Sequence, residues 1–129
     1  MRFSVSKPLA LILEDDDSMA RIIQLTLQSG GFDTVLAHNG FAALNRIEEQ
    51  MPDLMFLDIA MPGMNGWEAL YAIQEQFPDS NFPVIVLTAY DDSFNVSVGS
   101  MQSRVYHYMV KPFDPSELIQ TARAALGMA

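Results

Sequence analysis

Apolar residues in this chain fall into short unbroken runs, separated by stretches whose apolar positions recur at helical spacing. Residues 9–13, 54–57 and 84–87 are apolar throughout. Runs this short, bounded by Pro, Asp or Glu, read as strands covered on both faces. Residues 34–37 and 105–110 read as two more strands. Between them, Met19, Ile22, Ile23 and Leu27 mark one face of a helix that stops at Gly30-Gly31. Asn39 can cap a second helix with Leu44, Ile47 and Met51 on its buried face. Leu70, Ile73 and Phe77 mark a third, after a loop from Pro62 to Gly66. The last helix has the clearest signals: Asp114 at the N-cap, Pro115 at the first helical position and Glu117 to complete a capping box. Leu118, Ile119, Ala122, Ala125 and Leu126 form its apolar stripe.

Residues 91–104 are ambiguous. Phe94, Val96 and Val98 alternate with polar residues, which favours a strand. A parallel sheet, however, requires a crossover between its last two strands, so a short helix is expected there. Five strands alternating with five helices predict an α/β fold, a doubly wound five-stranded parallel sheet. Such folds place their sites beyond the carboxyl ends of the strands.

Composition narrows the function. A length of 129 residues suits one domain, expected to span 1–129 with its core at about 9–126. With no Cys there is no disulfide, and with half its residues hydrophobic the chain is globular. Sixteen acidic residues against seven basic give a net charge of −9. That argues against nucleic acid as a partner and against a basic membrane-surface helix. No apolar run approaches the ~20 residues needed to span a bilayer, and no signal-peptide core follows the N-terminus. The expectation is a soluble, cytoplasmic protein.

The chemistry lies where the apolar runs end. Glu14, Asp15, Asp16 and Asp17 follow the first strand, Asp58 the third, Thr88 the fourth and Lys111 the fifth. In a parallel sheet these ends share one edge. Two carboxylates ~5 Å apart repel by about 3 kcal/mol at an effective dielectric of 20. A divalent cation removes that repulsion, and oxygen ligands with no Cys or His nearby favour Mg²⁺, with Mn²⁺ as a substitute. Mg²⁺ held this way often binds phosphate, which Lys111 and Thr88 would help to hold. A carboxylate nucleophile then forms an aspartyl phosphate. Acid runs before helices also serve as caps, the reading that suits Asp16 or Asp17. His38 and His107 read as surface or strand residues, not phosphoryl carriers. Most of the nine Met should fill core gaps, with Met61 and Met64 flanking the site on a docking surface. Trp67 should lie in the first turn of the third helix.

Glu14-Asp15-Asp16, the stretch Asp58 to Gly66, Thr88-Ala89 and Lys111-Pro112-Phe113 together resemble the receiver domain of two-component response regulators. The resemblance runs from Leu9 to about Leu126. It implies a flavodoxin-like strand order 2-1-3-4-5. It also implies that Asp58 accepts the phosphoryl group, and that Asp15, Asp58 and the Ala60 carbonyl bind Mg²⁺ directly. Glu14 would act mainly through a metal-bound water, while Thr88 and Lys111 meet the phosphoryl oxygens. The Lys111–Pro112 bond is expected to be cis. Thr88 and Tyr108 match the family's switch positions. Phosphorylation would draw Thr88 toward the new oxygens, let Tyr108 rotate inward into the space it leaves, and change the face made by the fourth helix, last strand and last helix.

Two departures stand out. Arg104-Val105 replaces the Gly-Ala pair usual before the last strand, and is expected to push the end of the fourth helix outward. Ala60 and Tyr90 flank the path of attacking water; Ala60 is no base and Tyr90 shields the acyl phosphate, so slow self-hydrolysis is expected. The function implied is a stand-alone receiver, monomeric or weakly dimeric, that takes its phosphoryl group from a sensor histidine kinase or a histidine phosphotransfer protein. Its switched face would itself control a downstream protein. It would be no enzyme beyond its own phosphorylation and dephosphorylation. Alternatives are a phosphorelay shuttle and, less well matched, a small-molecule phosphatase, which would want an acid at position 60.

Overall fold

The structure, a computed structural model, describes residues 7–61, 63, 65–89 and 104–128. Five strands, β1 (Leu9–Leu13), β2 (Asp33–Ala37), β3 (Leu54–Asp58), β4 (Val84–Ala89) and β5 (Val105–Lys111), form one sheet. Their order is β2-β1-β3-β4-β5, the flavodoxin-like order, and all four pairings are parallel. Four helices lie among the described residues: α1 (Asp17–Ser29), α2 (Gly40–Glu49), α3 (Gly66–Gln76) and α4 (Pro115–Ala125). The fifth expected helix falls at 91–104, where only Arg104, in a turn, is among the described residues. No helix among the described residues is long and apolar enough to cross a membrane.

The sheet is covered on both faces because its strands are apolar at successive positions. Leu11, Leu13, Met55, Leu57, Val84 and Val86 face α2 and α3, meeting Ala43, Ile47, Ala69, Leu70 and Ile73. Ala10, Ile12, Leu54, Phe56, Ile85 and Leu87 face α1 and α4, meeting Ile23, Leu27, Leu118 and Ala122. Each fully buried side chain of this size contributes about 1.5–3 kcal/mol. The strand ends extend past the apolar runs. Asp58 pairs with Leu87 and Lys111 with Ala89, so these polar residues are rungs of the ladder rather than loop residues.

Three local expectations change. Met51 is 47% exposed, because α2 ends at Glu49 and Gln50 is extended. Met61 does not lie on a docking surface; it is buried with the core against α2 and α3. Met64, paired with it in that expectation, lies outside the described residues. The reciprocal capping box forms at Asn65–Glu68. At Asp114 the cap is one-sided: its carboxylate accepts from the Ser116 N–H at 2.8 Å.

A register shift divides β5. Val84 pairs with Val105, but Ile85 pairs with His107, leaving Tyr106 as the extra residue of a bulge. Ahead of the bulge, the Val84 N–H donates to the Arg104 carbonyl at 3.2 Å. The Arg104 guanidinium donates to Ser80 Oγ at 2.8 Å and stacks 4.6 Å from the Phe82 ring. Arg104 thus folds over the α3–β4 connection; the end of the fourth helix, which it is expected to push outward, lies outside the described residues.

Candidate functional site

Beyond the carboxyl ends of β1 and β3, carboxylate oxygens of Glu14, Asp15 and Asp58 lie within 4.8 Å of one another. Glu14 and Asp58 are buried and Asp15 is exposed, so the cluster opens to solvent on one side. Glu14 is held because the ladder continues one residue past β1: its N–H donates to the Ala37 carbonyl at 3.1 Å. Asp58 Oδ1 accepts the Ala60 N–H at 3.1 Å. Asp16 is the N-cap of α1, accepting from the Met19 N–H, so it is turned to the helix and not to the cluster.

The loop after Asp58 is folded tightly back. Gly63 has φ +76°, a conformation that favours glycine. Gly66 lies so close to the strand end that an added Cβ would sit 2.6 Å from Ile59 Cα and 2.7 Å from the Asp58 carbonyl oxygen. The Gly66 N–H donates to the Ile59 carbonyl at 3.2 Å, and the Asn65–Glu68 box starts α3 at that point. The start of α3 is thus held against the end of β3.

Lys111 is the cation of the site. Its Nζ lies 2.8 Å from Glu14 Oε1 and 3.6 Å from Asp58 Oδ1. The Lys111–Pro112 bond is cis. Burial pushes the Glu14 carboxyl above its ordinary range, the adjacent Asp58 raises it further, and Lys111 partly offsets both. Three hard oxygen donors, two of them buried, with only one ammonium against them, suit a small divalent cation such as Mg²⁺.

Thr88 is buried at the end of β4, on the sheet face shared by Val84 and Val86. Tyr108 pairs with Val86 on β5, so it lies on that face too. Its hydroxyl is already enclosed, with no hydrogen-bond partner, so the phenol lies inward without the phosphoryl group expected to let it rotate there, and burial raises its pKa above the ordinary phenol value. The ring meets Trp67 edge to face, with centroids 6.4 Å apart and planes at 61°. Trp67 lies in the first turn of α3 as expected, with its Nε1 also enclosed and unpartnered.

One residue at the rim was not foreseen. His38, just past β2, has Nδ1 3.2 Å from the Glu14 carbonyl oxygen and 3.4 Å from Asp17 Oδ1. The strand order carried that signal, since β2 borders β1 and the residue after each strand must be a neighbour. Tyr90 lies outside the described residues. A surface groove of about 680 Å³ is at the opposite pole, lined by Pro52, Asp53, Phe77 and Pro83 near the amino ends of β3 and β4.

A family model for the response regulator receiver domain matches residues 10–123. The chain belongs to that family. Among curated relatives, the DNA-binding response regulator MtrA of Mycolicibacterium smegmatis is 38% identical over 116 residues, covering 90% of this chain and 49% of the relative. The alkaline phosphatase synthesis transcriptional regulatory protein PhoP of Bacillus subtilis is 33% identical, covering 90% of this chain and 47% of its own length. The receiver thus spans about half the length of these relatives. Among solved structures, the Vibrio cholerae chemotaxis protein CheY4 matches with TM-score 0.84 and 27% identity, covering 93% of this chain and 99% of that one. A response regulator from Chloroflexus aurantiacus matches with TM-score 0.83 and 27% identity, covering 94% and 98%. This is a two-component signalling receiver domain, and its acidic cluster lies beyond the ends of β1 and β3.

Proposed function

We propose that Asp58 accepts a phosphoryl group from a phosphohistidine on a sensor kinase or phosphotransfer protein, with Mg²⁺ bound beside it. The observation that carries this reading is the position of Asp58: a buried carboxylate beside both the Glu14–Asp15 acids and the Lys111 ammonium. In the transfer the P–N bond of the donor breaks, a P–O bond forms at the Asp58 carboxylate, and the donor imidazole takes a proton. Mg²⁺ would be held by Asp15, Asp58 and the Ala60 carbonyl, with Glu14 behind a water. Bound there, it supplies charge neutralisation and a fixed place for a phosphoryl oxygen. Lys111 answers the remaining charge, Thr88 donates its hydroxyl to the acquired oxygens, and Tyr108 on the adjoining strand registers the change.

Ala60 supplies no general base for hydrolysis, which favours a signalling role over turnover of small molecules. The domain catalyses only its own phosphorylation and dephosphorylation. The DNA binding named for the mycobacterial relative is not assigned to this segment, whose net charge is −9. Beryllofluoride, a phosphoryl mimic, tests the reading. Added with Mg²⁺ it should change Trp67 emission in the wild type, and leave it unchanged without Mg²⁺ or in Asp58→Asn. An equal change in Asp58→Asn would exclude Asp58 as the acceptor.

A further inference from the structure

Tyr108 and Trp67 are brought together by two independent features. The first is the β5 bulge. Had the register of Val84 with Val105 continued unbroken, His107 would face Val86 and Tyr108 would pair with Leu87. A shift of one residue moves a side chain to the opposite face, so Tyr108 would then lie toward α1 and α4. With the bulge it points toward α3. The second is the tight β3–α3 connection, which fixes Trp67 directly after Gly66, itself packed on Ile59 and the Asp58 carbonyl.

The ring contact closes over two polar atoms. Neither the indole Nε1 nor the phenol oxygen has a partner, although both are shielded from solvent. A hydroxyl enclosed without a partner gains hydrogen bonds by turning out to water, so the enclosed orientation needs a counterweight. The edge-to-face contact with Trp67 supplies it. The enclosed orientation then competes with one in which the phenol meets water, and whatever holds the ring inward biases that competition.

We propose that Trp67 is the positioning residue for Tyr108, holding the phenol in its enclosed orientation and tying β5 to the loop that follows Asp58. The consequence for signalling rests on the function proposed above. The test uses the ion-free, unphosphorylated protein, so failure of this coupling and failure of Asp58 phosphorylation are seen separately.

The experiment is fluorine NMR of protein carrying 3-fluorotyrosine, reading the H₂O-to-D₂O shift of the residue 108 signal. Half-exposed Tyr106 is the internal reference. In the wild type and in Trp67→Phe, which keeps an aromatic edge, the solvent shift at 108 should stay well below that at 106. In Trp67→Leu, which keeps bulk without the ring, it should rise to the Tyr106 value while Tyr106 itself is unmoved. Trp67→Ala should behave as Trp67→Leu does. A Trp67→Leu protein that unfolds cooperatively and retains the small wild-type shift at 108 would overturn the proposal.

Discussion

The Lys111 ammonium is paired with Glu14 more closely than with Asp58, at 2.8 Å against 3.6 Å. Glu14 is almost fully buried, so Lys111 is what makes its charge tolerable in the ion-free site. Lys111→Met should therefore destabilise the folded domain by about 3 kcal/mol above neutral pH. The sign of its pH dependence follows from Glu14, whose folded pKa already lies above its ordinary value and would rise further without the lysine. Stability of the variant is then closest to wild type below the ordinary carboxylate range and falls as pH rises through the folded value. Urea denaturation across that range measures it; a pH-independent deficit would contradict the pairing.

Asp15 is the exposed acid of the cluster. Asp15→Asn should leave ion-free stability within about 0.5 kcal/mol of wild type. Mg²⁺ affinity should fall by at least the roughly tenfold that losing even an outer-shell partner typically causes. Trp67 emission titrated with Mg²⁺ gives the affinity, and an unchanged midpoint would remove Asp15 from the ligand set.

Gly66→Ala inserts a methyl group where only 2.6–2.8 Å separates it from Ile59 and the Asp58 carbonyl. The strand end or the start of α3 must move, which should lower stability by about 1–3 kcal/mol. Because the displaced atoms adjoin Asp58, Mg²⁺ affinity should weaken as well. Gly63→Ala should lower stability through its positive φ alone, with no atom within 4 Å of the new methyl. Thermal unfolding with and without Mg²⁺ separates the two effects.

Asp114 caps α4 through the Ser116 N–H, and that hydrogen bond is the main cause of its depressed pKa. A depressed folded value means stability that is present above the ordinary carboxylate range and lost as pH falls through the folded value. Asp114→Asn keeps a capping oxygen but cannot titrate. Its thermal midpoint should fall less steeply with acid than that of the wild type, and parallel curves would rule out the cap as a source of acid sensitivity.

Much of this was legible because β1, β3 and β4 are buried on both faces and so are apolar until their ends. Glu14, Asp58 and Thr88 each end such a run, Lys111 ends the edge strand β5, and parallel pairing alone brings these strand ends to one edge. What depends on contacts distant in sequence was not legible. The β5 bulge leaves no mark in the pattern of Val105 to Val110, yet it decides which face Tyr108 takes. Met61 follows the strand, where exposure is expected, but its side chain packs into the core. Arg104 meets Phe82 and Ser80, contacts that its place before the last strand does not announce. The Asn65–Glu68 capping box was readable from spacing and composition and was missed.

The central claim is that Asp58 is the residue that accepts a phosphoryl group, in a Mg²⁺-dependent step. Intact-mass measurement after incubation with a small-molecule phosphodonor tests it most directly. The wild type should gain the mass of one phosphoryl group with Mg²⁺ present and none when the ion is chelated. Asp58→Asn should gain none in either condition. Equal phosphorylation of Asp58→Asn, or a wild type that stays unmodified with Mg²⁺ and donor in excess, would contradict the account.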